Sequence, residues 1–509
     1  MIVLLIGLPA CAAVAAYLLR SHAARRVLLV AVAALHAALV CWLWVDPARF
    51  PPAGSWLAVD ELGRIFLGIT SALFLCVSVS AIGFLSRESG ATRADSEEGF
   101  LFDNTPEALF TACLLGFLAA MTLVTASQHF GLLWVAIEAT TLVSAPLIHY
   151  HRHHRSLEAT WKYLLICSVG IAVALLGTYF LAASVRSAAT GAIPLTFSRL
   201  VANASLLEPR WLKAAFLLLL VGYGTKMGLA PMHTWLPDAH SEAPSVVSAL
   251  LSGALLNCAF LAILRILAVC SAAGLGQFGR ETLLVFGLVS MGVAAGLIIA
   301  QPDYKRMLAY SSVEHMGILA VGIGLGGAGT WAALFHAVNH SFTKAALFLV
   351  AGNILAAYGT KKSSEVGGLL RSLPVTGVLW VAGLFAIVGS PPFGAFTSEL
   401  TILRAAVEAR SWVVVVIYSL LLAAVFVGMI TVLVRTAQGA GVRVGAAAVQ
   451  GAGGAGAVVA PQLARPLAAE PLIMVAAPIA LLLVTLALGV FIPGFLDTAL
   501  RQAVSLLGV

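Results

Sequence analysis

The chain has 509 residues, of which 61% are apolar and only 10% charged, with 29 Lys plus Arg against 22 Asp plus Glu. A soluble protein carries about 25% charged residues, and a chain this long with so few could not cover a water-facing surface, so the soluble classes are excluded. The net charge of +7 does not point to nucleic acid, because the basic residues sit singly or in pairs at the ends of apolar runs.

Those runs are about 20 residues long, enough for a helix to cross a hydrocarbon core of about 30 Å. They are continuous and lack the roughly 10-residue alternation of barrel strands, so the expected fold is an all-α polytopic membrane protein. Fourteen spans are predicted in chain order, at 2–18, 27–46, 61–85, 107–126, 129–150, 161–183, 211–232, 244–268, 281–300, 307–326, 331–357, 373–400, 412–434 and 470–492. The first is read as a retained span, without a convincing cleavage site. An even number puts both termini on one side of the membrane. The excess of Lys and Arg in loops after odd-numbered spans places that side outside.

The connections 184–210 and 435–469 lack the periodicity of a soluble domain, the latter being rich in Gly and Ala through Gly439, Ala446, Gly451 and Gly454. The acidic stretch from Glu88 to Glu98 reads as a solvated loop or a docking surface. Cys11, Cys41, Cys76, Cys113, Cys167, Cys258 and Cys270 are singletons, which argues against a disulfide scaffold or an iron–sulfur site. GxGxxG matches start at Gly274, Gly322, Gly324 and Gly451, but none lies in a strand–helix context, and no P-loop, HExxH or paired-Cys motif occurs. The expectation is a chain with no metal or cofactor of its own.

Two spans are interrupted. Span 7 reads Thr225-Lys226-Met227-Gly228-Leu229-Ala230-Pro231, and span 12 contains Gly389-Ser390-Pro391-Pro392-Phe393-Gly394. A broken helix leaves backbone groups unpaired, which is tolerated at membrane depth only where protein or water satisfies them. Breaks five helices apart suggest a duplication, each half with a discontinuous helix beside an ion path. Pro and Gly are also common in membrane helices generally.

Glu138 sits in the middle of span 5, where an isolated carboxylate is expensive and needs a partner or a proton. It is a candidate proton site or a carboxylate joining helices. Lys226, just before the Pro231 break, is either half of a switchable pair with a carboxylate or a structural or snorkelling lysine. His336, His340 and Lys344 are spaced four and four, on one helical face. Neutral imidazoles suit proton relay, whereas a metal site needs further ligands that no spacing supplies. Glu399, after the second break, is a candidate terminal group or an interfacial residue. Lys305 is a charge at the mouth of the path or an anchor. Glu314, two to three turns further along span 10, is a secondary candidate, and His233, Asp238, His240 and Glu242 in the Pro-bounded segment after Pro231 either carry protons to the surface or belong to a rigid interhelical turn. The run His149, His151, His153, His154 reads as a solvated connection.

The segment Trp134 to Thr141 with Glu138, the segment Lys226-x4-Pro231-x-His233-x-Trp235-Leu236-Pro237-Asp238-Ala239, Asp303-x-Lys305-Arg306-x-Leu308-Ala309-Tyr310-Ser311, the His336/His340/Lys344 helix and Gly389-x-Pro391-Pro392-x-Gly394 together resemble the antiporter-like, proton-translocating membrane subunits of respiratory complex I. Gly131 to Gly177 and Ser248 to Arg265 look most like component F of hydrogenase-4 and related group 4 hydrogenase and formate hydrogenlyase subunits. The resemblance implies about fourteen helices with two inverted five-helix repeats, spans 4–8 and 9–13, with helices 7 and 12 discontinuous. The implied division is 1–104 for the first three helices, 105–270 and 281–434 for the repeats, and 470–509 for the last helix and tail.

The resemblance further implies that Glu138 and Lys226 are the coupled pair of the first repeat. Lys305, His336, His340 and Lys344 are then the central connection, and Glu399 the terminal titratable residue of the second. The subunit has no redox centre; a NiFe centre and iron–sulfur clusters would belong to partner subunits of an oxidoreductase complex. Implied partners are other antiporter-like and small membrane subunits and a peripheral quinone- or hydrogenase-module, in a prokaryotic cytoplasmic membrane. A complex I subunit, a cation/proton antiporter subunit without a redox partner and a structural anchor are the alternatives. Many relatives carry Lys or His in span 8, where this chain has Ser252, Asn257 and Cys258.

Overall fold

A computed structural model describes residues 1–50, 52, 56–88, 93–94, 101–186, 193–439 and 470–508. The middle of 184–210, most of the acidic run from Glu88 to Glu98 and the Gly- and Ala-rich stretch 440–469 lie outside the described residues. Among the described residues the regular structure is helical apart from a ribbon pairing Arg93–Ala94 with Leu101–Phe102.

The chain opens with α1 (Ile2–Leu18), α2 (His22–Val45), α3 (Glu61–Glu88) and α4 (Glu107–Ala126). Next come α5 (Phe130–Ile148), α6 (His154–Arg186), the short α7 (Phe197–Ala202), α8 (Pro209–Met227), α9 (Trp235–Glu242), α10 (Ser245–Leu250) and α11 (Leu256–Ala272). They are followed by α12 (Gly276–Ile299), α13 (Tyr304–Leu325), α14 (Ala328–Tyr358), α15 (Leu369–Ser372), α16 (Pro374–Ile387), α17 (Gly394–Glu408) and α18 (Trp412–Gln438). The C-terminal part holds α19 (Leu472–Val490) and α20 (Gly494–Leu507).

Among the described residues, twelve helical segments are long and apolar enough to cross a membrane, against the fourteen spans expected. The difference falls at the first and the twelfth expected spans. Ile2–Leu18 and Pro374–Ile387 are apolar but shorter, the second because the helix stops before Gly389, which takes a left-handed φ of 65°, and resumes at Gly394. At the other interruption Gly228, at φ 86°, closes α8 with its N–H on Gly224 O. A Cβ there would also meet Leu236, so both backbone sign and space favour glycine.

Lipid provides no hydrophobic drive between helices, so close packing of small residues has to supply it. A Cβ on Gly222 of α8 would lie 2.6 Å from both Ala174 N and Gly170 O of α6, and one on Gly287 of α12 would lie 2.7 Å from Gly317 O of α13. Every residue from Ser245 to Cys270 is buried while most of Trp412–Gln438 is not, so α10 and α11 form the inner column and α18 faces outward. The inner column is interrupted by a π-helical turn at Leu251–Leu255, a local geometry often found where side chains must be re-aimed.

Polar clamps set the register. Arg265 of α11 is buried and donates to Asp60 Oδ1 and Thr125 O, each at 3.0 Å, and to Ser127 O. One guanidinium thus ties the start of α3 to the end of α4. Asp303 caps α13 through Lys305 N and Arg306 N at 2.7 and 3.0 Å.

Candidate functional site

Glu138 projects from α5, half-buried, with Oε1 accepting from Ser168 Oγ at 3.1 Å and Oε2 from Thr141 Oγ1 at 3.3 Å. Lys226 is fully buried in the last turn of α8, and its Nζ donates to Thr141 Oγ1 at 2.9 Å and Tyr163 OH at 2.5 Å. Thr141 is therefore shared: its hydroxyl accepts from the lysine and donates to the carboxylate. Glu138 and Lys226 make no direct ion pair among the described residues. Tyr163 OH continues to Ser144 Oγ at 2.6 Å, and the Tyr163 and Trp235 rings lie 4.4 and 5.8 Å from Nζ. Two aromatic faces and two hydroxyls thus replace water around the ammonium.

Trp235 opens α9, and His240 lies five residues further along it, about 7.5 Å at a helical rise of ~1.5 Å per residue. His240 is fully buried and stacks on Phe348 with centroids 4.9 Å apart, and neither ring nitrogen has a partner. The other secondary candidates on this short helix do different work. Asp238 pairs with Lys162 at 3.0 Å and Arg306 at 2.7 Å, and Glu242 pairs with Lys361 at 2.7 Å. They fasten α9 to α6, α13 and the loop after α14. Lys305 donates to Ser241 O at 3.2 Å and Ala243 O at 2.7 Å, placing a cation on the carbonyl end of α9. His233 is buried with Nδ1 unpartnered.

The second cluster lies between α13, α14 and α17. Lys344 donates to Leu308 O at 2.7 Å and to Ser311 Oγ. His340 is fully buried with both nitrogens unpartnered, its ring 5.1 Å from that of His315. His315 Nδ1 and His336 Nε2 are 2.9 Å apart, and His336 Nδ1 lies 2.8 Å from Ser398 Oγ. Glu314 and Glu399 are buried, and Glu399 Oε1 has no partner. A Cβ at Gly389 would run into the Glu399 carboxylate, and one at Gly394 into the Asn339 amide. The glycines around Pro391 and Pro392 are what allow α17 to dock against α14. From the inner column, Ser252 Oγ meets Ser312 Oγ at 2.8 Å and Asn257 Nδ2 donates to Ser341 Oγ at 2.8 Å.

The structure thus brings Glu138 and Lys226 together through Thr141, and brings Lys344, His340, His336, Glu314 and Glu399 to one region. Four contributors were not singled out from the sequence: Thr141, Tyr163, His315 and Ser398. Thr141 sits three residues after Glu138, which was signal enough, whereas Tyr163 and Ser398 reach their partners only across helices.

One expectation is corrected. His315, His336 and Glu399 each offer a ligand atom, and these atoms all lie within 4.8 Å of one another. A chain without any candidate metal site is therefore not what the fold presents. Ligand spacing along the sequence could not find this group, because its members come from three different helices.

A profile of the NADH:quinone oxidoreductase/Mrp antiporter transmembrane family matches residues 127–426. The hydrogenase-4 component F homolog of Methylacidiphilum infernorum (isolate V4) is 38% identical over 384 residues, covering 75% of this chain and 77% of that protein. The NADH-quinone oxidoreductase subunit N of Desulforudis audaxviator (strain MP104C) is 30% identical, covering 76% of this chain and 74% of that protein. In fold, the chain is similar to a subunit of the archaeal membrane-bound sulfane sulfur reductase, with a TM-score of 0.83, 20% identity and coverage of 100% and 97% of the two chains. It is also similar to a chain of the Mrp complex from Dietzia sp. DQ12-45-1b, with a TM-score of 0.80, 21% identity and coverage of 99% and 97%. The buried polar groups above fall within the matched region, and the chain belongs to the NADH:quinone oxidoreductase/Mrp antiporter family of polytopic membrane proteins.

Proposed function

We propose that the chain is the proton-translocating membrane subunit of a multisubunit redox complex, of the group 4 hydrogenase or formate hydrogenlyase type. The observation that carries this reading is the Lys226–Thr141–Glu138 arrangement, two membrane-embedded ionisable groups joined by one hydroxyl. An ionisable group in a membrane helix is expensive and is retained where it handles ions. Thr141 lets the lysine and carboxylate exchange a proton without touching, so a small movement of α8 at its Gly228 hinge breaks or restores the relay.

In this reading Glu138 and Lys226 are the coupled pair of a first five-helix repeat within 105–270. Lys305, His336, His340 and Lys344 form the central connection, with His240 between the halves, and Glu399 ends the line in a second, inverted repeat within 281–434. Residues 1–104 and 470–509 flank the repeats, giving fourteen membrane crossings with both termini outside a prokaryotic cytoplasmic membrane. Electron transfer in partner subunits that hold a NiFe centre and iron–sulfur clusters supplies the energy, and other antiporter-like and small membrane subunits flank the chain. The likeness to the hydrogenase-4 component F homolog supports the hydrogenase type.

The test is co-purification with a metal inventory. Nickel and iron in the partners are the expected result; other membrane subunits with no redox metal would overturn the hydrogenase assignment. That outcome would favour a second reading, a cation/proton antiporter subunit without a redox partner, which the likeness to the Mrp complex supports.

A further inference from the structure

The hydrogen positions around His336 follow from its neighbours. Ser398 Oγ carries one proton and lies 2.8 Å from Ala395 O and 3.3 Å from Gly394 O, so its O–H is donated to its own helix. The 2.8 Å contact with His336 Nδ1 is then made by the imidazole N–H, which leaves a lone pair on His336 Nε2. That lone pair faces His315 Nδ1 at 2.9 Å. His315 Nδ1 and His336 Nε2 are thus the two imidazole nitrogens that face one another, and His315 Nε2 lies buried 4.0 Å from Glu314 Oε2. Glu399 Oε1 is the third ligand atom, buried and without a hydrogen-bond partner among the described residues.

Two neutral imidazoles and a carboxylate are a ligand set for borderline divalent cations, while calcium and magnesium take oxygen ligands. Ser398 supplies what metal-binding histidines generally need, an outer partner that fixes ring orientation and tautomer. The three donor atoms lie within 4.8 Å of one another, and closing to about 3.4 Å would match two ligands each ~2.1 Å from a tetrahedral zinc. Glu399 is 7% exposed against 1% for His315 and 0% for His336, so the carboxylate is the end at which a cation arrives.

We propose that His315, His336 and Glu399 form a binding site for one borderline divalent cation, Zn²⁺ above all, and that the bound ion closes the second half of the polar line. The binding stands on the ligand geometry alone; the closure rests on the proton-translocation reading given above.

Zn²⁺ alone is titrated into the purified complex, with binding read by calorimetry and coordination by X-ray absorption at the zinc edge. A tight site with nitrogen and oxygen ligands at about 2.0–2.1 Å is expected, weakened at least tenfold in His336→Gln and in Glu399→Gln, each made separately in case one fails to assemble. His149, His151, His153 and His154 are the competing imidazoles, and their joint replacement by Ala is expected to leave the tight site intact. Loss of the tight site in that variant, with retention in His336→Gln, would overturn the proposal. Zn²⁺ bound at the site with undiminished proton movement would overturn the closure and leave the binding standing. A complex that moves no protons even before Zn²⁺ is added sinks the transport reading instead, and the calorimetry still decides the site.

Discussion

In the first half of the polar line every charged atom is answered: Lys226 has two hydroxyls and two aromatic faces, and Glu138 has a serine and a threonine. In the second half, among the described residues, both nitrogens of His340 and Oε1 of Glu399 have no hydrogen-bond partner. A buried polar atom without a partner costs about 1–3 kcal/mol. The first half therefore holds its charged groups through protein partners alone, while in the second Lys344 and His336 are held by protein groups and His340 and Glu399 less completely. Under the proposed function, the first half would hold the gating contact and the second the groups that handle the ion.

The largest expected effect tests the gating contact directly. Lys226→Met removes the donor to both Thr141 and Tyr163, and is expected to abolish redox-linked proton movement while leaving the complex assembled. Glu138→Gln is expected to do the same. Unchanged proton-to-electron stoichiometry in both variants would remove the first half from the pathway. Thr141→Val is a smaller cut, keeping both charges and the side-chain shape while deleting the hydroxyl between them. A rate loss of about tenfold is expected, equivalent to roughly 1.4 kcal/mol on the barrier, with Thr141→Ser restoring most of it. Full activity in Thr141→Val would mean that Glu138 and Lys226 communicate by another route.

A third change probes how the second half is built. Gly394→Ala places a Cβ against the Asn339 amide, and overpacking of this kind costs about 1–3 kcal/mol. Lower thermal stability of the complex is expected. Asn339→Ala in the same chain is expected to recover it, since the obstruction is then gone.

The sequence carried the membrane class and the unusual charges because both are properties of single segments: apolar length, and a lone Glu138 or Lys226 inside it. It also marked both glycine–proline interruptions. What it could not carry is which side chains meet across helices. Tyr163 reads as one aromatic among many on α6, and Ser398 as one hydroxyl among many on α17, yet the first holds Lys226 and the second lies 2.8 Å from His336 Nδ1. His315 stands beside Glu314 in plain view, but its role as a ligand atom exists only once α13, α14 and α17 are packed. The absence of metal-ligand spacing led to the expectation of no metal site for the same reason, since spacing rules read one helix at a time.

The smallest expected effect on stability separates the two halves most sharply. Tyr163→Phe deletes a hydroxyl bonded to both Lys226 and Ser144, leaves a buried ammonium short of one acceptor, and is expected to cost about 1–3 kcal/mol. His340→Phe deletes two nitrogens that bond to nothing among the described residues, replaces one flat ring with another, and removes no hydrogen bond. Its thermal unfolding is expected to stay within about 0.5 kcal/mol of the wild type or to rise. Both variants are read by the same assay, thermal unfolding of the purified complex at fixed detergent and salt. If His340→Phe proved as destabilising as Tyr163→Phe, the His340 nitrogens would be held by ordered water in the resting protein. The second half would then be as fully satisfied as the first.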